Sequence, residues 1–272
     1  MPVLDQFRLD GKRALLTGGG GVLGAALARG LAEAGAHVIV TGLGAARAGR
    51  VAETLCRDGY SAEAFALDAL SRPALLECAA RVGRVDILVN AAGGNHPSAT
   101  TSADVSFFDL PFEGLEQVLH LNLFAGAILP SQVFGRALAE QPTGGVILNV
   151  SSLNALRPLT RIPGYSAAKA AVSNFTQWLA VYMAQNYDGR VRVNALAPGF
   201  FLAEQNRFLL IDAATGALTP RGRTIVEHTP LARFGAPVDL AGAAVWLCSD
   251  AAAFVTGVVL PIDGGFSAFS GV

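Results

Sequence analysis

Two short clusters hold the side chains best suited to chemistry. In Tyr165-Ser166-Ala167-Ala168-Lys169 a phenol and an ammonium stand at i and i+4, so a helix would stack them on one face. An ammonium beside a phenol favours the phenolate and lowers its pKa from ~10 toward the working range of a general acid/base. Ser151-Ser152 follows the apolar run Val146–Val150, which places a hydroxyl at the carboxyl rim of a strand, where open α/β sheets bind ligands. Tyr-x-x-x-Lys alone recurs by chance in many helices. Its combination with a strand-end serine and a Gly-rich turn is far harder to obtain by accident.

That turn is the second cluster, Thr17-Gly18-Gly19-Gly20-Gly21-Val22-Leu23-Gly24, between a strand at Arg13–Leu16 and a helix at Ala25–Ala34. Gly18, Gly20, Gly21 and Gly24, with Val22 and Leu23, would let a pyrophosphate approach main-chain N–H groups at the positive end of a helix. A dinucleotide, NAD or NADP, is the expected cofactor. The acidic residue that ordinarily ends the second strand is missing, since Thr41-Gly42-Leu43-Gly44 offers no carboxylate. Its absence removes repulsion against a 2′-phosphate and leans toward NADP. Arg47 is the nearest cation, but a solvated helix residue is an equal reading, so the choice between NAD and NADP stays open. Asp68 ends the third strand, where it could meet an adenine amino group or cap the next helix, a role Ser71 could equally take.

Short apolar runs alternate with helical stretches along the sequence. Further strands are expected at His37–Thr41, Ala64–Leu67, Ile87–Asn90, Val146–Val150, Arg192–Ala195 and Val258–Pro261. Further helices are expected near Arg47–Arg57 and over Pro73–Arg81, Leu115–Ala139 and Tyr165–Gln185. This alternation predicts a single α/β domain over residues 1–272, a doubly wound parallel sheet of Rossmann type. Between Pro198 and Pro237 the periodicity weakens, and a substrate loop near 200–235 is expected there.

Composition narrows the class. The 272 residues hold 20 basic and 21 acidic side chains, a net charge of −1, which excludes a broad basic footprint for nucleic acid. Charged residues are 15 % of the total, against about 25 % in an average soluble domain. Ala/Gly richness or surface hidden in an oligomer would each explain that. The uncharged stretches Gln117–Gly135 and Ala170–Tyr187 contain Asn, Gln or Ser and read as buried helices rather than membrane spans. With no signal-like N-terminal pattern, a cytoplasmic location is expected. Cys56, Cys78 and Cys248 are far apart and lack partners at metal spacing, so reduced core thiols and no metal are expected.

Taken together, these motifs identify the sequence as similar to the short-chain dehydrogenase/reductase family over nearly its whole length. Asn90-Ala91-Ala92-Gly93 resembles the family's Asn-Ala-Gly motif after the fourth strand, which the resemblance implies supports the sheet and lines the cofactor, and Pro198-Gly199 and Asp263-Gly264-Gly265 resemble two further markers. The resemblance implies that Tyr165 is the general acid/base, that Ser152 polarises a carbonyl, and that Lys169 holds the nicotinamide ribose and tunes Tyr165. It also implies that Asn122 supports a proton-relay water, and that Asn90, Ala91, Gly93, Pro198 and Phe200 border the cofactor. Two positions depart from the pattern: Val22 replaces a glycine of the turn, and Ala203 replaces a threonine after Pro198-Gly199. Within the family the sequence is most similar to the D-mannonate oxidoreductases of this type, or fructuronate reductases. The strings carrying this are Ala92-Gly93-Gly94-Asn95-His96-Pro97, Leu129-Pro130-Ser131-Gln132, Asn174-Phe175-Thr176-Gln177-Trp178-Leu179, Pro198-Gly199-Phe200-Phe201, Glu204-Gln205-Asn206-Arg207 and the tail from Asp263.

The expected activity is interconversion of a secondary alcohol and a ketone on a sugar acid. A 3-oxoacyl reductase is the alternative enzyme. A non-catalytic nucleotide sensor would not need the Ser152, Tyr165 and Lys169 set. A sugar acid requires a donor for its carboxylate and polar groups for its hydroxyls, and the candidates are Asn95, His96, Asn154, Arg161, Gln205 and Arg207, the arginines offering a planar fork. The nearly charge-free helices over Leu115–Ala139 and Tyr165–Gln185 would each keep a second apolar face to cover, which predicts a homotetramer or homodimer.

Overall fold

The computed structural model describes residues 2–271, with the side chains of Glu204 and Gln205 outside that description. Seven strands run parallel in one sheet: β1 (Arg13–Thr17), β2 (His37–Gly42), β3 (Ala62–Ala66), β4 (Ile87–Asn90), β5 (Gly145–Val150), β6 (Val191–Pro198) and β7 (Val259–Ile262). Their order is β3-β2-β1-β4-β5-β6-β7, so the winding reverses between β1 and β4. The two strand ends at this switch point are Thr17 and Asn90, which pair in register. Ligand crevices open at such a reversal, beyond the carboxyl ends of the strands.

Parallel strands covered on both faces need apolar side chains in both directions, and the central strands supply them. Leu16, Val40, Val89 and Leu148 pack on one face, while Leu15, Ile39, Leu88 and Ile147 pack on the other, all of them fully buried. Around the sheet lie α1 (Val22–Glu33), α2 (Ala45–Arg57), α3 (Arg72–Val82), α4 (Phe112–Leu119), α5 (Leu129–Glu140), α6 (Pro163–Asn186), α7 (Glu204–Leu210), α8 (Pro220–Glu227) and α9 (Ala241–Cys248).

A π-helical stretch, His120–Ile128, joins α4 and α5 into one helical run. Buried Asn122 lies inside it and donates its Nδ2 to the carbonyl of Val118 at 2.8 Å, competing with the main-chain donors of that turn. Phe112–Glu140 is long and apolar enough to span a bilayer, yet half of its most apolar window is buried inside the fold, against the sheet and α6.

The segment between Pro198 and Pro237 differs from the expected loop. It forms the short helices α7 and α8, bridged by the isolated pair Ile211 and Leu218. Helix α9 also went unforeseen. It crosses α1 at Gly30, where a side chain would fall 2.8 Å from the Ala241 Cβ. Cys78 and Cys248 are buried thiols, with pKa values pushed up by burial to about 11 and about 12. Cys56 corrects the core expectation: it is exposed near the end of α2, and its thiol donates to the Ala62 carbonyl at 3.2 Å.

Candidate active site

A cleft of about 450 Å³ opens over the switch point. Its outer part is the Gly-rich turn, with Gly18, Gly20, Gly21, Val22, Leu23 and Gly24 all lining it. Gly18 has φ +65°, and a side chain there would lie 2.6 Å from the Ala91 carbonyl oxygen, so the turn admits only glycine at this point. Gly21 precedes α1 without a side-chain cap, which leaves the first N–H groups of that helix without a side-chain acceptor where they face the cleft. A dinucleotide pyrophosphate fits this donor set.

Asp68 lines the cleft, and its Oδ1 accepts from Leu70 N–H at 2.9 Å. The cap of α3 is Ser71, which accepts from Ala74 N–H at 3.3 Å, so the capping role falls to the serine. Arg47 borders the same end of the cleft as Gly42 and Gly44. Its Cβ lies 3.1 Å from where a side chain on Gly20 would project.

At the inner end stand Ser152, Tyr165 and Lys169, together with Ala91, Gly93 and Pro198. Helix α6 begins with Pro163 in its first turn and carries Tyr165 and Lys169 one turn apart. Hydrogen bonds lock this helix to β5. Ser151 Oγ donates to the Lys169 carbonyl at 3.1 Å and lies 2.7 Å from Ser173 Oγ, while Asn149 Nδ2 donates to Thr176 Oγ1 at 2.9 Å. Ser152 on the strand end is thereby held against Tyr165 on the helix.

The electrostatics differ from the sequence expectation of a depressed phenol pKa. Tyr165 keeps part of its surface open to the cleft but is densely surrounded by protein, and this desolvation raises its pKa above the ordinary 10, with the Ser152 hydroxyl pulling it back down. Lys169 does not offset the burial. Its Nζ lies 5.7 Å from the Tyr165 ring centroid and donates to the Val150 carbonyl at 2.8 Å. The lysine is 3 % exposed, and burial pushes its own pKa down to about 8.

Three expected contacts move away from the cleft lining. Asn90 is fully buried under it and donates to Ser131 Oγ at 3.0 Å and to Asn149 Oδ1 at 2.9 Å, tying β4 to β5 and α5. Asn122 is likewise buried and works through the loop after β4: its Nδ2 donates to the Gly94 carbonyl at 2.6 Å, and its Oδ1 accepts from Gly94 N–H at 3.0 Å. A side chain on Gly93 would meet Asn122 Oδ1 at 2.7 Å and Lys169 Nζ at 3.2 Å, so glycine lets this loop pass close to both. Phe200 lines a separate cavity of about 200 Å³ beside Gly264 and packs edge-on against Phe266 at 5.2 Å.

The expected substrate ligands are less gathered. Asn95 and His96 are exposed and bonded locally, Asn95 Nδ2 to Thr100 Oγ1 and His96 Nδ1 to Ser98 Oγ, each at 2.7 Å. Arg161 and Arg207 are exposed and do not line the cleft. Gln205, on α7, has a side chain outside the described residues. Asn154 is buried directly behind Ser152, to whose Oγ its Nδ2 donates at 3.1 Å. Leu121 and Ala125, on the cleft-facing side of the π-helical stretch, were not anticipated as lining residues, because apolar periodicity assigns them to the core. No group of three or more metal-ligating side chains occurs among the described residues.

A family model described as enoyl-(acyl carrier protein) reductase matches residues 21–267. This chain belongs to the short-chain dehydrogenase/reductase family. A relative from Bacillus subtilis named "Uncharacterized oxidoreductase UxuB" is 44 % identical, the match covering 97 % of this chain and 98 % of the relative. A Haemophilus influenzae structure described as a "putative D-Mannonate oxidoreductase" with bound NAD is 43 % identical, with a TM-score of 0.90 and coverage of 99 % and 100 %. A gluconate 5-dehydrogenase from Burkholderia cenocepacia, solved with NADP and tartrate, is 34 % identical, with a TM-score of 0.84 and coverage of 98 % and 99 %. The protein is thus an NAD(P)-dependent oxidoreductase of small molecules.

Proposed function

We propose that this short-chain dehydrogenase/reductase interconverts a secondary alcohol and a ketone on a sugar acid, with D-mannonate/D-fructuronate the leading pair. The observation that carries the chemistry is the meeting of Ser152, Tyr165 and Lys169 at the inner end of a cleft whose outer end is the Gly-rich turn. The sugar-acid class is supported by the names of the mannonate and gluconate relatives and by the tartrate, a hydroxy diacid, in one of them.

When bound, the nicotinamide supplies or accepts the hydride. The Gly18–Gly24 turn and the start of α1 would hold the pyrophosphate, and Lys169, at the inner end of the cleft, would hold the nicotinamide ribose. Ser152 donates to the reacting oxygen. Tyr165 gives its phenolic proton to that oxygen during reduction and takes it back during oxidation. Lys169 is the cation beside the Tyr165 ring while it is protonated, and burial, which pushes its pKa down to about 8, works against that charge. Asn122 keeps the Gly93–Gly94 loop in place.

Two exposed cations serve the carboxylate in this reading, Arg161 and Arg207. At the adenosine end, the absence of an acid at Gly42 and the place of Arg47 favour NADP. The enzyme is proposed to be cytoplasmic and a homotetramer or homodimer. Supporting the assembly, Phe175, Trp178 and Tyr182 form a stacked row along α6, with Trp178 57 % exposed.

The test is Tyr165→Phe. Cofactor binding, read by fluorescence titration, should be retained while turnover falls by ~10²–10⁴. Wild-type turnover in a folded variant would remove Tyr165 from the proton-transfer role.

A further inference from the structure

Asn154 has a bonding pattern that a substrate ligand does not need. It sits on the 3₁₀ turn Leu153–Ala155 directly after Ser152 and is 7 % exposed. Ser152 Oγ receives two donors from this one residue, the main-chain N–H at 3.2 Å and Nδ2 at 3.1 Å. A serine hydroxyl has two acceptor lone pairs and one hydrogen. With both lone pairs occupied, the hydrogen of Ser152 is left to point at a third group.

The orientation of the Asn154 amide follows from its other end. Ser166 Oγ donates to Asn154 Oδ1 at 3.2 Å, and Ser166 is buried beside Tyr165 on α6. Turning the amide over would deprive the Ser166 hydroxyl of this acceptor, and a buried donor without a partner is unfavourable. The oxygen therefore faces Ser166 and the NH₂ group faces Ser152. One side chain thus connects the strand end that carries Ser152 to the helix that carries Tyr165.

We propose that Asn154 is a positioning residue that fixes Ser152 as a hydrogen-bond donor, its one hydrogen aimed at Tyr165 until a reacting oxygen takes that place, rather than a ligand of the substrate. The assignment rests on the catalytic reading above and deepens it. In the free enzyme this hydrogen stabilises the phenolate form of Tyr165, and when substrate binds it passes to the reacting oxygen. The charged group beside the Tyr165 ring is Lys169, and the Ser152 hydroxyl is the neutral partner that lowers the phenol pKa.

The decisive variant is Asn154→Asp, which keeps the shape and the acceptor for Ser166 but turns a carboxylate oxygen toward Ser152. That oxygen accepts the Ser152 hydrogen and draws it away from the reacting centre. Expected are a fall in kcat of ~10²-fold, an unchanged cofactor Kd, and an acidic limb of the oxidation pH profile moved to higher pH, because the phenolate loses its donor. Asn154→Ala vacates only one lone pair and should lose ~10-fold in kcat, with a smaller movement of the limb in the same direction. It carries the test if the aspartate variant does not fold.

A raised substrate KM with unchanged kcat would make Asn154 a substrate ligand and overturn the proposal. Equal losses in both variants with an unmoved limb would reduce Asn154 to a packing residue and overturn it as well. Tyr165→Phe, measured alongside, separates the two levels. If it is inactive while Asn154→Asp behaves as wild type, only the Asn154 assignment falls. If Tyr165→Phe is also active, the catalytic reading falls with it.

Discussion

Lys169 is held as a cation in a place that disfavours cations, and Lys169→Met reads that tension directly. Lowering the ammonium from its ordinary pKa of 10.5 to about 8 corresponds to roughly 3 kcal/mol at 1.36 kcal/mol per pH unit. The sign follows from proton binding. Above about pH 8 the folded lysine has lost its proton while the unfolded protein keeps it up to about 10.5, so wild-type stability rises with pH through this window. Methionine removes the titration. It also removes the hydrogen bond to Val150, a pH-independent loss of about 1–3 kcal/mol, so the slope and not the absolute difference is diagnostic. Urea unfolding of the cofactor-free proteins at about pH 7.5 and about pH 9.5 should find the wild type gaining about 2 kcal/mol on the variant between the two. Parallel pH curves would show that Lys169 carries no desolvation penalty, and would refute the view of it as a buried charge awaiting the phenolate.

Three other perturbations address the cofactor, the substrate and the assembly. Gly42→Asp places a carboxylate where nothing lies within 4 Å of the new Cβ, and the NAD/NADP ratio of kcat/KM should rise at least ~10-fold; an unchanged ratio means that the ribose lies elsewhere. Arg161→Ala or Arg207→Ala should weaken use of a sugar acid far more than use of a neutral ketone, and equal effects of both substitutions on both substrates would remove the arginines from carboxylate binding. Trp178→Glu should lower the oligomeric state in light scattering at micromolar concentration, whereas a wild type that is already monomeric contradicts the proposed assembly.

The parts of the fold legible in the sequence were those set by local pattern. Buried parallel strands are unbroken apolar runs, so Ile87–Asn90 matched residue for residue, and β1 differed only by Thr17. The helices α7 and α9 have seven and eight residues and lie among Gly and Pro, too short for a 3.6-residue period to stand out. The triad members and the Gly-rich turn were readable because their types and spacing are unusual. What Asn122 and Asn154 do was not, since each binds a group distant in sequence or beyond a turn, Gly94 under the loop and Ser166 on the next helix, whereas the sheet-supporting role of Asn90, which reaches Asn149 on β5, was implied by the resemblance. The Tyr165 pKa failed for the same reason. Spacing places an ammonium near a phenol, but only the packed structure decides that burial outweighs it and that Lys169 turns to Val150.

The proposed activity is tested most directly by comparing kcat/KM for D-fructuronate with that for a neutral, apolar ketone, using wild-type protein and each of NADH and NADPH. The account predicts a preference for the sugar acid of at least ~10²-fold, as expected when a charged group finds a dedicated partner that the neutral ketone leaves unpaired. An equal or better rate with the apolar ketone would contradict the sugar-acid assignment, and leave the Ser152, Tyr165 and Lys169 chemistry to serve another substrate.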